Sequence, residues 1–122
     1  MNLSFKSQFV EPILTGKKIH TIRGVKSENR WMPEKRIHFC TGMRTKKYKC
    51  FHLGSCSGLQ SIFMTYLRGC IEISVDERYL YRNEIDQLIV NDGLTYDEFI
   101  AWFFKDTDEF SGYIIHWTDF RY

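Results

Sequence analysis

Apolar residues fall mostly in short alternating runs, and in three stretches they recur at helical spacing. Residues 3–6 read as a first short strand. Residues 7–15 read as a helix: Ser7 can cap it, Phe9, Val10, Ile13 and Leu14 give it an apolar face, and Gly16 stops it. Pro12 sits badly in the middle of that helix and points to a shorter second turn beginning near it. Residues 17–23 alternate in strand fashion and carry the β-branched Ile19, Thr21 and Ile22. Residues 24–35 are polar and broken by Pro33, which predicts a loop anchored to the core by Trp31 and Met32. A strand follows at 36–41, with Ile37 and Phe39 on one face. Then come a basic turn at 42–47, a third strand at 48–53 and a turn at 54–59.

The second half is patterned differently. Residues 62–75 hold strand material on both sides of a turn at Arg68-Gly69, and residues 79–82 suit another strand. Ile85, Leu88 and Ile89 recur at helical spacing within 84–90, and Asn91-Asp92-Gly93 is a turn signal. Thr95 and Glu98 form a capping box for a helix ending near Phe104, with Phe99, Ile100, Trp102 and Phe103 as its apolar content. Residues 112–119 close the chain as a strand, with Tyr113, Ile115 and Trp117 on one face. Many short strands with few helices predict an α+β fold. Its form would be a small, strongly curved mixed sheet or β-barrel with flanking helices.

Composition narrows this picture. At 122 residues, with 43% hydrophobic and 16% aromatic side chains, the chain can fill one core without disulfides or metals. No repeat or low-complexity linker divides it, so residues 1–122 are expected to form a single domain. No apolar run approaches the roughly eighteen residues of a membrane span, so no membrane partner is expected. The first residues lack the layout of a signal peptide, which makes the cytoplasm the expected location. Cys40, Cys50, Cys56 and Cys70 have no CxxC spacing, and His20, His38, His52 and His116 are scattered. The cysteines therefore read as free thiols and most of the histidines as ordinary satisfied side chains. No metal or organic cofactor is indicated.

The net charge of +2 hides a division. Residues 1–60 hold 12 basic and 3 acidic side chains, a balance of +9; residues 61–122 hold 5 and 12, a balance of −7. Either the first half builds a basic surface for phosphates, or the halves neutralise each other in the fold.

The densest local signal is Gly16-Lys17-Lys18-Ile19-His20-Thr21-Ile22-Arg23. Thr21 and Arg23, two residues apart, share one strand face. A hydroxyl beside a guanidinium suits an anionic or amide-bearing ligand. Lys18 would point to the opposite face of a regular strand and joins Thr21 only if a turn or bulge re-aims it. On spacing alone, an exposed basic strand with an ordinary threonine is the commoner occurrence of such a pattern.

This segment resembles the GxKxxTxR pattern of the ASCH domain, a family related to the PUA RNA-binding fold; Gly16, Lys18, Thr21 and Arg23 match its four fixed positions. The preceding Ile13-Leu14-Thr15-Gly16 is similar to the family's entry. Asn91-Asp92-Gly93-Leu94 with Asp97-Glu98-Phe99 and Trp102-Phe103 resembles its acidic turn and following helix, and residues 110–122 its last strand. The resemblance spans most of the chain. It implies a PUA-like β-barrel with flanking helices and a cleft lined by the motif. It also implies one of two functions: binding of RNA or a modified nucleoside, or hydrolysis of an acyl amide on a nucleobase, as in small bacterial members that act on acetylcytidine. In those hydrolases a threonine is the proposed nucleophile, assisted by a lysine and a glutamate. Thr21 and Lys18 match the first two. Asp92 falls where the glutamate would be, with Asn91 as the alternative one position away. Aspartate is one methylene shorter than the family's residue. Such chemistry needs a base to take the threonine proton, and Lys18 serves only if burial or neighbouring cations lower its pKa. Arg23 would hold a phosphate, a carbonyl or a developing oxyanion. Without the resemblance, Asp92 is an ordinary turn residue ahead of a helix.

A second basic cluster, Arg44, Lys46 and Lys47 with Tyr48, interleaves cations with an aromatic ring. It suits either RNA or a solvated hairpin. Lys17 joins the basic set. Trp31 is either a ring that stacks a base over the cleft or a packing anchor. Three functions are therefore expected as alternatives: an RNA- or nucleoside-binding domain, an amidohydrolase using Thr21, Lys18 and Asp92, and a protein-interaction module using the acidic half.

Overall fold

A computed structural model describes residues 2–24 and 32–122, so Trp31 and most of the predicted loop lie outside the described residues. The chain runs β1 (Asn2–Ser4), a 3₁₀ turn (Ser7–Phe9), α1 (Val10–Leu14), β2 (His20–Gly24), β3 (Arg36–Thr41) and β4 (Lys49–Ser55). It continues through β5 (Gly58–Leu67), β6 (Cys70–Val75), β7 (Arg78–Tyr79), α2 (Arg82–Asn91), α3 (Tyr96–Phe103) and β8 (Glu109–His116). The architecture is α+β. Among the described residues the strands form two sheets, ordered β1-β3-β4 and β2-β8-β5-β6-β7.

Neither sheet closes into the expected barrel. β1 offers three residues to β3, in parallel, and among the described residues β4 pairs on one side alone. The predicted turn at 54–59 shrinks to Cys56-Ser57, a corner through which the chain leaves the first sheet at Ser55 and enters the second at Gly58. β8 lies inside the second sheet, between β2 and β5 and antiparallel to both. Its Ile114 and Ile115 point to opposite faces yet are both fully buried, because both faces are covered. Side chains from both sheets and from the helices share one core, in which Phe39 packs against Phe5, Phe51 and Trp117.

Several elements differ from the periodicity. The helix at 7–15 divides at Phe9 into a 3₁₀ turn and a five-residue helix, with Pro12 in its first turns where a missing N–H costs little. The strand expected at 17–23 begins only at His20, because the Lys17 and Lys18 amides both donate to the Pro12 carbonyl at 2.9 Å. The strand at 79–82 is two residues long, since Arg82 already opens α2. Met32 is 59% exposed and is no anchor. Trp117 lies beyond the end of β8. No helix among the described residues is long and apolar enough to cross a membrane.

The helix ends position the site. Thr95 Oγ1 accepts from the Glu98 amide and Glu98 accepts from the Thr95 amide, the reciprocal cap read from the sequence. α2 starts with Glu84 accepting from the Tyr81 amide and from both ends of the Arg78 guanidinium, which hold its carboxyl at about 2. α2 ends in a Schellman arrangement, with Gly93 at φ +83° and the Gly93 and Leu94 amides returning to Val90 and Ile89. A Cβ on Gly93 would stand 3.2 Å from Lys18 Cβ and Cδ, so this glycine serves both the left-handed backbone and the lysine stem laid across it. Gly69 also has positive φ, +74°, but a Cβ there would meet nothing within 4 Å. Gly69→Ala is therefore expected to cost about 1 kcal/mol from backbone strain alone. Gly93→Ala should cost about 2–3 kcal/mol, because overpacking adds to that strain. Equal losses in urea unfolding would reject the packing role of Gly93.

Candidate functional site

The connector between α1 and β2 carries Lys18 into the interior instead of along a strand edge. Its backbone is held by the Pro12 carbonyl on one side, and the following Ile19 amide donates to the Asn91 carbonyl at 2.9 Å. The side chain is 2% exposed. Its Nζ donates to the Asp92 carbonyl oxygen at 2.6 Å and to Asp92 Oδ1 at 3.1 Å. Both acceptors sit at the C-terminal end of α2, where the helix dipole favours a cation. The ammonium also lies 4.7 Å from the Phe9 ring centroid and 5.9 Å from that of Phe5.

Once the connector has turned, β2 sets Thr21 and Arg23 on one face as the spacing predicts. Arg23 Nε donates to Thr21 Oγ1 at 3.3 Å, and its Nη2 donates to the Ser4 carbonyl at 2.7 Å. Its guanidinium lies 5.2 Å from the Phe5 centroid. Lys18, Thr21, Arg23 and Asp92 thus line one cleft of about 400 Å³. Phe5, Phe9, Trp102 and Phe103 form its apolar walls, and Gly42 and Met43 reach it from the β3–β4 loop. Lys6 stands 5.0 Å over the Trp102 ring beside the same cleft. The volume is within the range of about 300–1,000 Å³ usual for small-molecule sites.

Not every predicted residue joins this site. Lys17 turns outward and lines a separate groove with Pro12 and Val90. Arg44, Lys46, Lys47 and Tyr48 are exposed on the β3–β4 loop, outside the cleft lining, although Gly42 and Met43 at the start of that loop touch it. The Tyr48 hydroxyl is engaged at the loop base, 3.2 Å from Cys40 Sγ and accepting from Asn2 Nδ2 at 3.4 Å. Trp31 lies outside the described residues. Of the two acidic-turn candidates, Asp92 faces Lys18, while Asn91 turns away and donates to the Tyr122 hydroxyl at 3.0 Å. All four cysteines are free thiols, Cys40 and Cys56 buried, Cys50 and Cys70 exposed.

The residues that sequence reasoning missed lie behind the cleft. Most of the four histidines were expected to be ordinary satisfied side chains, and two of them are not. His20 and His116 are fully buried, face each other across β2 and β8 with ring centroids 5.5 Å apart, and each leaves Nδ1 without a hydrogen bond. His20 Nε2 meets the Tyr122 hydroxyl at 2.6 Å, and its Nδ1 stands 3.3 Å from Asp92 Oδ1, near but out of line for a hydrogen bond. His116 Nε2 meets Gln60 Oε1 at 2.9 Å. The Tyr122 amide also donates to that oxygen, while Gln60 Nε2 donates to Asp76 and to the Tyr122 carbonyl. Gln60 Oε1 is thus the acceptor, and His116 carries its proton on Nε2. The one sequence signal for His20 was its place between Lys18 and Thr21 in the motif. For Tyr122 and Gln60 there was none.

Burial sets the protonation of this interior. Desolvation pulls Lys18 below its usual range; Asp92 opposes the shift and Arg23 adds to it. Desolvation also lowers His20 against the pull of Asp92, and raises the Tyr122 hydroxyl. His116 falls from 6.5 to about 3, through burial first and then His20 and Arg121.

Neither a protein-family model, nor a curated protein, nor a solved structure matches the chain.

The two histidines make stability depend on pH. Their folded pKa values lie below the unfolded value, so between about pH 6.5 and 3 the unfolded chain binds more protons and stability falls with pH. At pH 5 His116 alone should remove about 2 kcal/mol. Urea unfolding at pH 7 and pH 5 measures this loss, and His116→Gln should shrink it. A stability unchanged between the two values would contradict neutral burial of these rings.

Proposed function

We propose that this chain is an ASCH-type, PUA-like protein whose cleft binds RNA or a modified nucleoside through its nucleobase. One observation carries the reading: the residues of the GxKxxTxR pattern that bear functional side chains converge with Asp92 in a single cleft walled by aromatic rings. A planar base offers faces for Phe9 and Trp102 and an edge of donors and acceptors for Thr21, Arg23, Lys18 and Asp92. The exposed Arg44, Lys46 and Lys47 stand on the loop whose first residues touch the cleft, where they suit the phosphates of a longer RNA.

A second reading, hydrolysis of an acyl amide on the base, is favoured by the burial of Lys18. In its neutral form the amine donates its two N–H groups to Asp92 O and Oδ1, which leaves its lone pair to accept a proton. Thr21 Oγ1 then attacks the amide carbon as Lys18 takes the hydroxyl proton. Lys18 returns that proton to the departing base nitrogen, and water hydrolyses the acyl ester on Thr21 to release the carboxylate. Asp92 orients the amine. Arg23 Nε lies against Thr21 Oγ1, close to the point where negative charge develops.

Acetate release from acetylcytidine tests the second reading, and binding of the same nucleoside tests the first. Thr21→Ala and Lys18→Ala are each expected to lower turnover by about 10²–10⁴-fold, and Thr21→Ala should still bind the nucleoside. Binding without turnover by the unmodified protein leaves the binding reading alone; neither binding nor turnover rejects both for this ligand. For RNA, affinity should fall steeply with salt. Replacing Arg44, Lys46 and Lys47 by Ala should flatten the log–log salt slope by about 2, at roughly 0.7 per lost phosphate contact. An unchanged slope would remove the loop from the interface.

A further inference from the structure

Behind Asp92 a chain of polar groups that the cleft residues do not explain runs from the exposed Gln87 through buried Asn91 and half-buried Tyr122 to buried His20. Gln87 Nε2 donates to Asn91 Oδ1 at 2.7 Å, and Asn91 Nδ2 donates to the Tyr122 hydroxyl at 3.0 Å. That hydroxyl meets His20 Nε2 at 2.6 Å, and His20 Nδ1 faces Asp92 Oδ1 at 3.3 Å, the same oxygen that Lys18 Nζ holds at 3.1 Å. Gln87 and Tyr122 line a second cavity of about 370 Å³ that includes none of the cleft residues. The chain therefore spans the domain from one concavity to the other.

Its direction can be deduced by counting donors. The Tyr122 oxygen accepts from Asn91, and among the described residues the acceptor in reach of its own proton is His20 Nε2, which places the His20 proton on Nδ1, toward Asp92. The reverse direction would turn over the amides of both Asn91 and Gln87. It would also set the Nδ1 lone pair against the Asp92 carboxylate 3.3 Å away. The carboxylate therefore decides the direction.

We infer that His20 and Tyr122 are positioning residues of the cleft, forming with Asn91 a one-way hydrogen-bonded chain, a relay that ends by turning His20 Nδ1–H toward Asp92, an electrostatic contact at 3.3 Å rather than a hydrogen bond, and so favours the carboxylate's place on Lys18. The groups facing His20 are Asp92 from the end of α2, Lys18 from the connector, His116 from β8 and Tyr122; Arg23 of β2 acts on Lys18. Tyr122 strengthens His20 as a donor, His20 draws charge from the shared Asp92 oxygen, and Lys18 loses its proton more readily. The inference about direction stands on the structure alone. Its consequence for turnover rests on the hydrolysis reading.

Long-range ¹H–¹⁵N correlation of His20 in the intact protein at pH 7 reads the tautomer, and ¹³Cε chemical shifts follow the titration of Lys18. The expected result is an Nδ1–H imidazole in the unmodified protein and growth of the Nε2–H form in Asp92→Asn. Tyr122→Phe keeps the ring and the main-chain bonds to Gln60. It should move the Lys18 midpoint upward by a few tenths of a pH unit and, where acetylcytidine is turned over, lower kcat several-fold at unchanged KM. An Nε2–H imidazole in the unmodified protein overturns the relay, as does a Lys18 titration that Tyr122→Phe leaves in place. Absence of turnover in the unmodified protein would reject hydrolysis, and the two spectroscopic readouts would still decide the relay.

Discussion

The seating of Lys18 on Asp92 is the constraint on which the rest of the site depends. An ammonium group and a carboxylate leave water together at the C-terminal end of α2, and the desolvation cost of such a pair is offset only by close contact and further hydrogen bonds. The local structure is arranged to supply both. The connector is pinned to Pro12 and Asn91, the lysine stem lies across Gly93, and Nζ has a carbonyl and a carboxylate oxygen within reach. Phe9 and Phe5 stand beside Nζ with aromatic rings, which tolerate a cation better than an aliphatic wall would. One contact thereby ties the α1 turn, the start of β2 and the α2–α3 junction around a single cleft.

The interior around this pair carries several polar side chains. Among the described residues, seven polar or charged ones are buried beside the apolar core, His20, Gln60, Asn91 and His116 included. Buried polar groups are tolerated when their partners are present, and two histidine nitrogens here lack a hydrogen bond. A purely structural interior would be more stable with apolar side chains in those places. Buried polar groups of this kind lower stability and hold neighbouring side chains in one geometry, the usual relation between a pre-organised cluster and the scaffold around it.

The division of charge along the sequence takes on a spatial meaning. The basic first half supplies Lys6, Lys18 and Arg23 to the cleft and the exposed cations of the β3–β4 loop beside it. Of the acidic half, Asp92 lines the cleft, while Glu84 pairs with Arg78 at the start of α2. The halves neither cancel throughout nor stand wholly apart. The first half presents cations at a concave surface, and the second meets them there with one carboxylate.

Much of the fold was legible in the pattern of residues. Strand β3, the turn at Arg68-Gly69 and the capping box at Thr95 depend on neighbours in sequence, so period and turn chemistry located them. Thr21 and Arg23 were placed on one face by strand geometry alone. The elements that differed were those whose bounds are set by distant partners: β2 is shortened by the Pro12 carbonyl, and the corner at Cys56-Ser57 is drawn tight by the passage between sheets. No local period could close or open the sheets, because that depends on which edges meet. The sequence by itself determined the cap of α3, the shared face of Thr21 and Arg23 and a motif with a hydroxyl between cations, whereas Ser7, expected to cap the first helix, makes no cap. Only the tertiary structure decided that Lys18 turns inward, that Asp92 and not Asn91 faces it, and that His20 and Tyr122 stand behind them. Those contacts join residues up to 102 positions apart, and burial, which alters their proton affinities, exists only once the chain has folded.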